Sequence, residues 1–209
     1  VTLTPAAMAQ QFDDATVLAL ELEGPEGIIR VDPDLVSAID GELTLIRDQL
    51  PVLAGIDVHP SWVPGEIIVG MTEEAFAAFL DGTFTGFDAL FAEYPLAEFT
   101  PFNFIEAVHL VFVEPLHPEN LASLFAAVEG VAYAGPNHVG GDGPDITIEA
   151  LGSYVFKQGW GDCPAGCIHN HYWRVEIQGG TAVIVEEWGD DLPVVVEAAS
   201  WSALKARMR

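Results

Sequence analysis

Apolar and polar positions divide the chain into three stretches. Residues 16–23 alternate well enough to predict a strand, and residues 27–31 a second one able to pair with it. Asp32-Pro33 then reads as a helix N-cap with proline at the first helical position. Leu35, Ile39, Leu43, Ile46 and Leu50 follow as one helical stripe, which Pro51 ends. Residues 57–64 carry two prolines and predict a linker.

The middle stretch opens with a short apolar strand at 66–71. Thr72 caps a helix with Glu73 and Glu74 in its first turn, where negative charge suits the helix dipole. Phe76, Phe79 and Leu80 give that helix a buried face, and Gly82 and Gly86 break it in two. Phe84, Phe87, Leu90 and Phe91 read as core. Strands at 96–102 and 107–114 lead to a helix from Pro118, with Leu121, Leu124, Phe125 and Val128 on one face and Gly130 as its stop. Residues 131–134 form a last strand. The order β-α-β-β-α-β is the split βαβ arrangement of ferredoxin-like folds.

After Gly143 the pattern turns to strands at 154–158, 171–177 and 181–187, the last two joined through Gln178-Gly179-Gly180 as a hairpin. Residues 197–209 predict a short C-terminal helix. The expected architecture is α+β: an N-terminal strand–helix segment (1–60), a ferredoxin-like domain (61–140), and a small antiparallel three-stranded sheet with its tail (141–209).

Charge changes the picture. The 209 residues hold 32 Asp and Glu against 7 Lys and Arg, a net charge of −25, yet half are apolar. Disordered acidic chains lack that apolar content, so a packed core is expected. A field of this sign repels phosphate backbones and anionic lipids, which argues against nucleic-acid and membrane-surface binding. The acidity is uneven: residues 48–156 contain 16 carboxylates and no Lys or Arg. A solvated acidic surface and divalent-cation capture are the two readings of that run. Residues 140–145 with Glu149 come nearest to a calcium loop, but lack the alternation of an EF-hand and read better as a turn. No run of 18 apolar residues predicts a membrane span. The chain begins at Val1, and with low Lys content and a close Cys pair it reads as exported, its signal peptide removed.

One dense cluster of reactive side chains stands out, Cys163-Pro164-Ala165-Gly166-Cys167-Ile168-His169-Asn170-His171. Three readings compete. Cys163 and Cys167 form a disulfide closing a tight turn, for which the Cα separation is expected near 4.4–6.8 Å. Alternatively, Cys163, Cys167, His169 and His171 bind zinc or copper, the two imidazoles sharing one face of a strand and Asp162 accepting from a ligand. In the third reading a cysteine is a nucleophile activated by a neighbouring histidine. Trp160, Asp162 and Trp173 flank the cluster as candidate pocket-lining residues. His59, His109, His117 and His138 are scattered, and His109 reads as a strand histidine. Glu73-Glu74, Glu186-Glu187 and Asp190-Asp191 are sequence neighbours, which does not by itself make an acid/base pair. No G-x-S-x-G, H-E-x-x-H, P-loop or dinucleotide fingerprint is present.

Two stretches carry a resemblance. Val63-Pro64-Gly65-Glu66-Ile67-Ile68-Val69 and Val128-Glu129-Gly130-Val131-Ala132-Tyr133-Ala134-Gly135-Pro136-Asn137 resemble the opening and closing strands of the propeptide-like domain of subtilisin-type proteases. In that family the domain packs its sheet on the protease and threads its C-terminal tail into the active site, as chaperone and inhibitor. Here no protease domain follows, and the segment after Asn137 runs into another sheet. The chain as a whole resembles a family of uncharacterised exported bacterial proteins with a W-G-D-C-P-x-G-C motif, carried by residues 45–51, by Pro60-Ser61-Trp62-Val63-Pro64-Gly65-Glu66 and most specifically by Gly159-Trp160-Gly161-Asp162-Cys163-Pro164-Ala165-Gly166-Cys167-Ile168. Together these imply a non-enzymatic interaction module with no cofactor, meeting a cationic or apolar protein or peptide. A zinc- or copper-binding protein is the alternative.

Overall fold

The computed structural model describes residues 13–193; the C-terminal helix expected at 197–209 lies outside them. The N-terminal strand is not formed. Residues Asp14–Glu23 are a helix (α1), capped by Asp13, whose carboxylate accepts from the Thr16 N–H at 2.8 Å. Ala15 through Leu20 are all buried, so a nearly all-apolar turn and a half imitates strand alternation when read without its cap. The strand expected at 27–31 is also absent, apart from one bridge between Arg30 and Leu116. The stripe that follows forms as expected in α2 (Pro33–Gln49), with the Asp32 side chain capping the Asp34 N–H.

The middle stretch builds a strand β1 (Trp62–Met71), helices α3 (Glu73–Leu80) and α4 (Asp88–Glu93), strands β2 (Leu96–Phe102) and β3 (Ala107–Phe112), a helix α5 (Pro118–Ala126) and a strand β4 (Val131–His138). Its four strands lie in the order β2-β3-β1-β4, every neighbouring pair antiparallel. Ile67 and Val69 of β1, Val108, Leu110 and Phe112 of β3, and Phe76, Phe87, Leu121 and Phe125 from the helices make one apolar core. The expected aromatic stripe joins it, with Phe87 and Phe125 rings 4.9 Å apart.

The last stretch has four strands where three were expected: β5 (Asp145–Ala150), β6 (Ser153–Trp160), β7 (His169–Gln178) and β8 (Thr181–Gly189), in sequential antiparallel order. The extra strand β5 includes the part read as the end of a calcium-type loop. Its Ile146 faces the core and pairs with Phe156, so the strand needs its neighbour to be recognised. Gly179 and Gly180 both have positive φ, 60° and 81°, as a two-residue hairpin turn requires.

This second sheet does not stand alone. Leu18, Ile39, Leu43 and Ile46 from α1 and α2 share a core with Ile146, Tyr154, Phe156, Trp173 and Val175. The described segments 14–58 and 145–189 thus share one two-layer core, and 62–138 lies between them in sequence with a core of its own. Among the described residues no helix is long and apolar enough to cross a membrane.

Candidate functional site

Strand alternation decides what becomes of the Cys–His cluster. On β6 and β7, Tyr154 pairs with Val175, Phe156 with Trp173, Gln158 with His171 and Trp160 with His169, so these side chains share the helix-covered face. The intervening position Gly159 points the other way, and a Cβ placed on it would fall 2.5 Å from the Cys167 sulfur. The cysteines therefore lie over one face of the sheet and the histidines on the other.

Cys163 and Cys167 are joined as a disulfide, their Cα atoms 3.9 Å apart, closer than expected because a 3-10 turn (Cys163–Ala165) folds the segment back. The loop is fastened by Asp142. Its carboxylate accepts from the Cys167 N–H at 3.1 Å and the Gly143 N–H at 2.8 Å, and it pairs with the Lys157 ammonium. Lys157 first, with these backbone donors, holds the Asp142 carboxyl below its ordinary range. Asp142 is thus committed to a turn. Asp162, the acceptor expected from sequence, makes no side-chain cap bond.

Across the sheet, His169 stacks on Trp160 at 5.4 Å, and its Nδ1 lies 3.3 Å from an Asp190 carboxylate oxygen. His171 is buried against Trp173. Its Nδ1 lies 2.7 Å from the Asp190 carbonyl oxygen and its Nε2 3.0 Å from Glu187. His169 and His171 do share a face, as expected, but both sulfurs are bonded to each other and on the opposite side. The four residues read as zinc or copper ligands are not brought together. Among the described residues no group of three or more His, Cys, Asp or Glu side chains is arranged to hold a metal ion.

Two other groupings escape the sequence. The first is on the helix-free face of the first sheet. Glu66 on β1 lies 2.9 Å from His109 Nε2 on β3 and accepts from Asn137 Nδ2 on β4 at 2.7 Å. His109 first, and then Asn137, hold the Glu66 carboxyl below its ordinary range against the opposing effect of burial. Phe102 lies parallel to the His109 ring, their centroids 6.5 Å apart.

The second is a cleft of about 330 Å³ lined by Glu21, Gly24, Ser61, Trp62, His117 and Glu119. It lies where the end of α1 meets the start of β1 and the N-cap of α5. His117 is only 6% exposed. Its Nδ1 accepts the Asn120 N–H at 3.4 Å, and the His117 backbone N–H donates to the Ile29 carbonyl at 2.9 Å. The ring lies so close to Gly24 that a Cβ there would be 2.2 Å from Nε2. Burial holds this imidazole below its ordinary range, outweighing nearby Glu119. Burial, and then the charge of Asp145, push the Glu21 carboxyl up to about 7. Asp145 is itself raised by burial, although it accepts from the His59 and Ile146 N–H groups. Glu21 sits on a segment read as a strand, and His117 is distant in sequence. The one local signal is Pro118 as the first residue of a helix, which leaves the preceding His117 at its cap.

Comparison with family models, with curated proteins and with solved structures gives no match to this chain.

Proposed function

We propose that the inserted unit, residues 62–138, is a ferredoxin-like, propeptide-type interaction module of an exported protein, which docks a protein partner on the helix-free face of its sheet. The observation that carries this reading is the one-sided covering of that sheet. Helices α3, α4 and α5 bury Ile67, Val69, Val108, Leu110 and Phe112 on one face. On the other, Ile68, Phe102 and Val111 are only partly covered, Val113 is 53% exposed and Tyr133 49%. Phe104, in the β2–β3 turn beside this face, is 82% exposed. The β-α-α-β-β-α-β order and the strand sequence β4-β1-β3-β2 support the ferredoxin-like assignment.

The partner is defined by chemistry. The face carries Glu66 and Glu98, and residues 48–156 contain no Lys or Arg. A complementary surface is therefore apolar at its centre and cationic at its rim. A subtilisin-type protease is the partner that the resemblance suggests. After β4 the chain continues into β5, so contact with such a protease rests on the sheet face rather than on a free tail.

The test is titration of the full chain against mature subtilisin-type proteases, reading binding and inhibition. The expected result is a complex that weakens by tenfold or more when NaCl rises from about 0.05 to about 0.5 M. Val111→Glu, which places a charge in the middle of the face, should abolish it. Absence of both binding and inhibition across such proteases overturns the propeptide-type reading.

A further inference from the structure

The cleft between α1, β1 and α5 is independent of the docking face and has the makings of a small-molecule site. We propose that it binds a neutral polyhydroxylated ligand, a sugar ring or polyol, through Glu21, Glu119, Ser61 and His117.

Hydrogen-bond supply decides the ligand class. His117 is more than nine-tenths buried, and with Nδ1 accepting from the Asn120 N–H, the proton of the neutral ring sits on Nε2. That N–H lines the cleft and has no acceptor among the described residues. Glu21, itself partly exposed, likewise has no hydrogen-bond donor or ion-pair partner among them. Both groups are still reached by water, and a donor and an acceptor that open onto one cleft are placed to bond a ligand that displaces that water. The ligand must accept from Nε2–H and donate to a carboxylate. A hydroxyl group does both at once.

The charged alternatives fit less well. An anion meets Glu21, Glu119 and a chain of net charge −25. An ammonium or guanidinium would suit the carboxylates, but has no lone pair for the imidazole N–H. A hydroxyl also tolerates either ionisation state of Glu21: it donates to the carboxylate and accepts from the carboxylic acid. The volume of about 330 Å³ lies at the lower end of small-molecule pockets, in keeping with a single ring. Trp62 and the Gly24 backbone supply the apolar side of such a ring with something to lie against.

The experiment is a titration of the full-length isotope-labelled chain with glucose, galactose, mannose and glycerol, and in parallel arms with methylammonium and acetate. The readout is the NMR shift of the Gly24 and Ser61 amides and the Trp62 indole N–H. At least one polyhydroxylated probe should shift these signals saturably. Glu21→Ala should weaken that binding by tenfold or more, whereas Glu21→Gln, which keeps a donor and an acceptor, should retain it. Ser61→Trp, at an exposed position on the rim, should block the cleft without touching the buried groups. The proposal is overturned if no hydroxylated probe saturates, or if methylammonium or acetate binds these residues in preference. It is equally overturned if Glu21→Ala and Ser61→Trp both leave binding unchanged.

Discussion

A carboxyl group that burial forces to keep its proton makes folding depend on pH with a definite sign. In the folded chain Glu21 releases its proton at about 7, against an ordinary value of 4.5. Between those values the folded state binds a proton that the unfolded state has lost. Stability is therefore gained on acidification through this window and lost as pH rises towards 7; Asp145, also raised by burial, acts in the same direction. Glu66 and Asp142 have the opposite sign, since His109 and Lys157 hold their carboxyls low. Their contribution is present above the ordinary carboxylate range and lost only on stronger acidification. The two effects together move maximum stability to the acidic side of neutrality. Glu21→Gln should flatten the upper limb, leaving stability at pH 5 nearly unchanged and raising it at pH 8. The gain is on the order of 1 kcal/mol, or about 2–4 °C in Tm, once screening of a partly exposed group is allowed for. Thermal melts at both pH values check this, and an equal effect at both would refute the assignment.

At the scale of elements, local chemistry was read well wherever cap and stripe coincide. Thr72, Asp32 and Pro118 start their helices as the sequence indicates, and the strands of the middle stretch come in the expected order. The failures share a cause. α1 is apolar on nearly all sides because it lies between α2 and the second sheet, so its pattern carries no helical period. β5 is short and opens with Asp145, whose carboxylate is turned inward to the His59 N–H. In both, a distant partner supplies the missing information. The candidate site divides in the same way. The Cys pair and the shared face of His169 and His171 follow from spacing, whereas the side of the sheet taken by the disulfide depends on how the loop folds back over Gly159. The Glu21–His117 cleft joins groups on elements far apart in the chain. Irregularity inside an element is equally informative. Near its start β1 shifts register between Trp62 and Ile67, and Gly65 sits there at φ +67° with its N–H donating to the Leu116 carbonyl at 2.7 Å. A Cβ at Gly65 would lie 2.4 Å from the Glu114 carbonyl oxygen, so left-handed strain and a backbone clash act together. Gly65→Ala should cost about 2 kcal/mol or more in denaturant unfolding. A neutral result would mean that β1 does not make this bend.

For the whole molecule, the distribution of charge sets a test that separates folding from binding. The four described Lys and Arg residues are all engaged: Arg30 with Glu93 and Glu114, Arg47 with Asp14 and Asp57, Lys157 with Asp142, and Arg174 with Glu149 and Glu186. Most of these pairs are at least partly solvated, and each contributes little to stability. Most of the other described carboxylates have no Lys or Arg partner among the described residues, and folding concentrates them. Self-repulsion of this kind opposes the compact state and is relieved when salt shortens the range of the field to about 4 Å. Raising NaCl from about 0.05 to about 0.5 M should therefore raise Tm by several degrees, in spite of the weakened ion pairs. The same change should loosen a complex with a cationic partner, because attraction between opposite charges is screened as fully as repulsion between like ones. A polyhydroxylated ligand in the Glu21–His117 cleft, being neutral, should be nearly indifferent to it. Calorimetric scans and binding isotherms recorded across the same salt series thus expect opposite signs for folding and docking. A Tm that falls with salt would mean that the ion pairs outweigh the repulsion. The acidity would then be arranged to favour the fold, and would no longer point to a cationic partner.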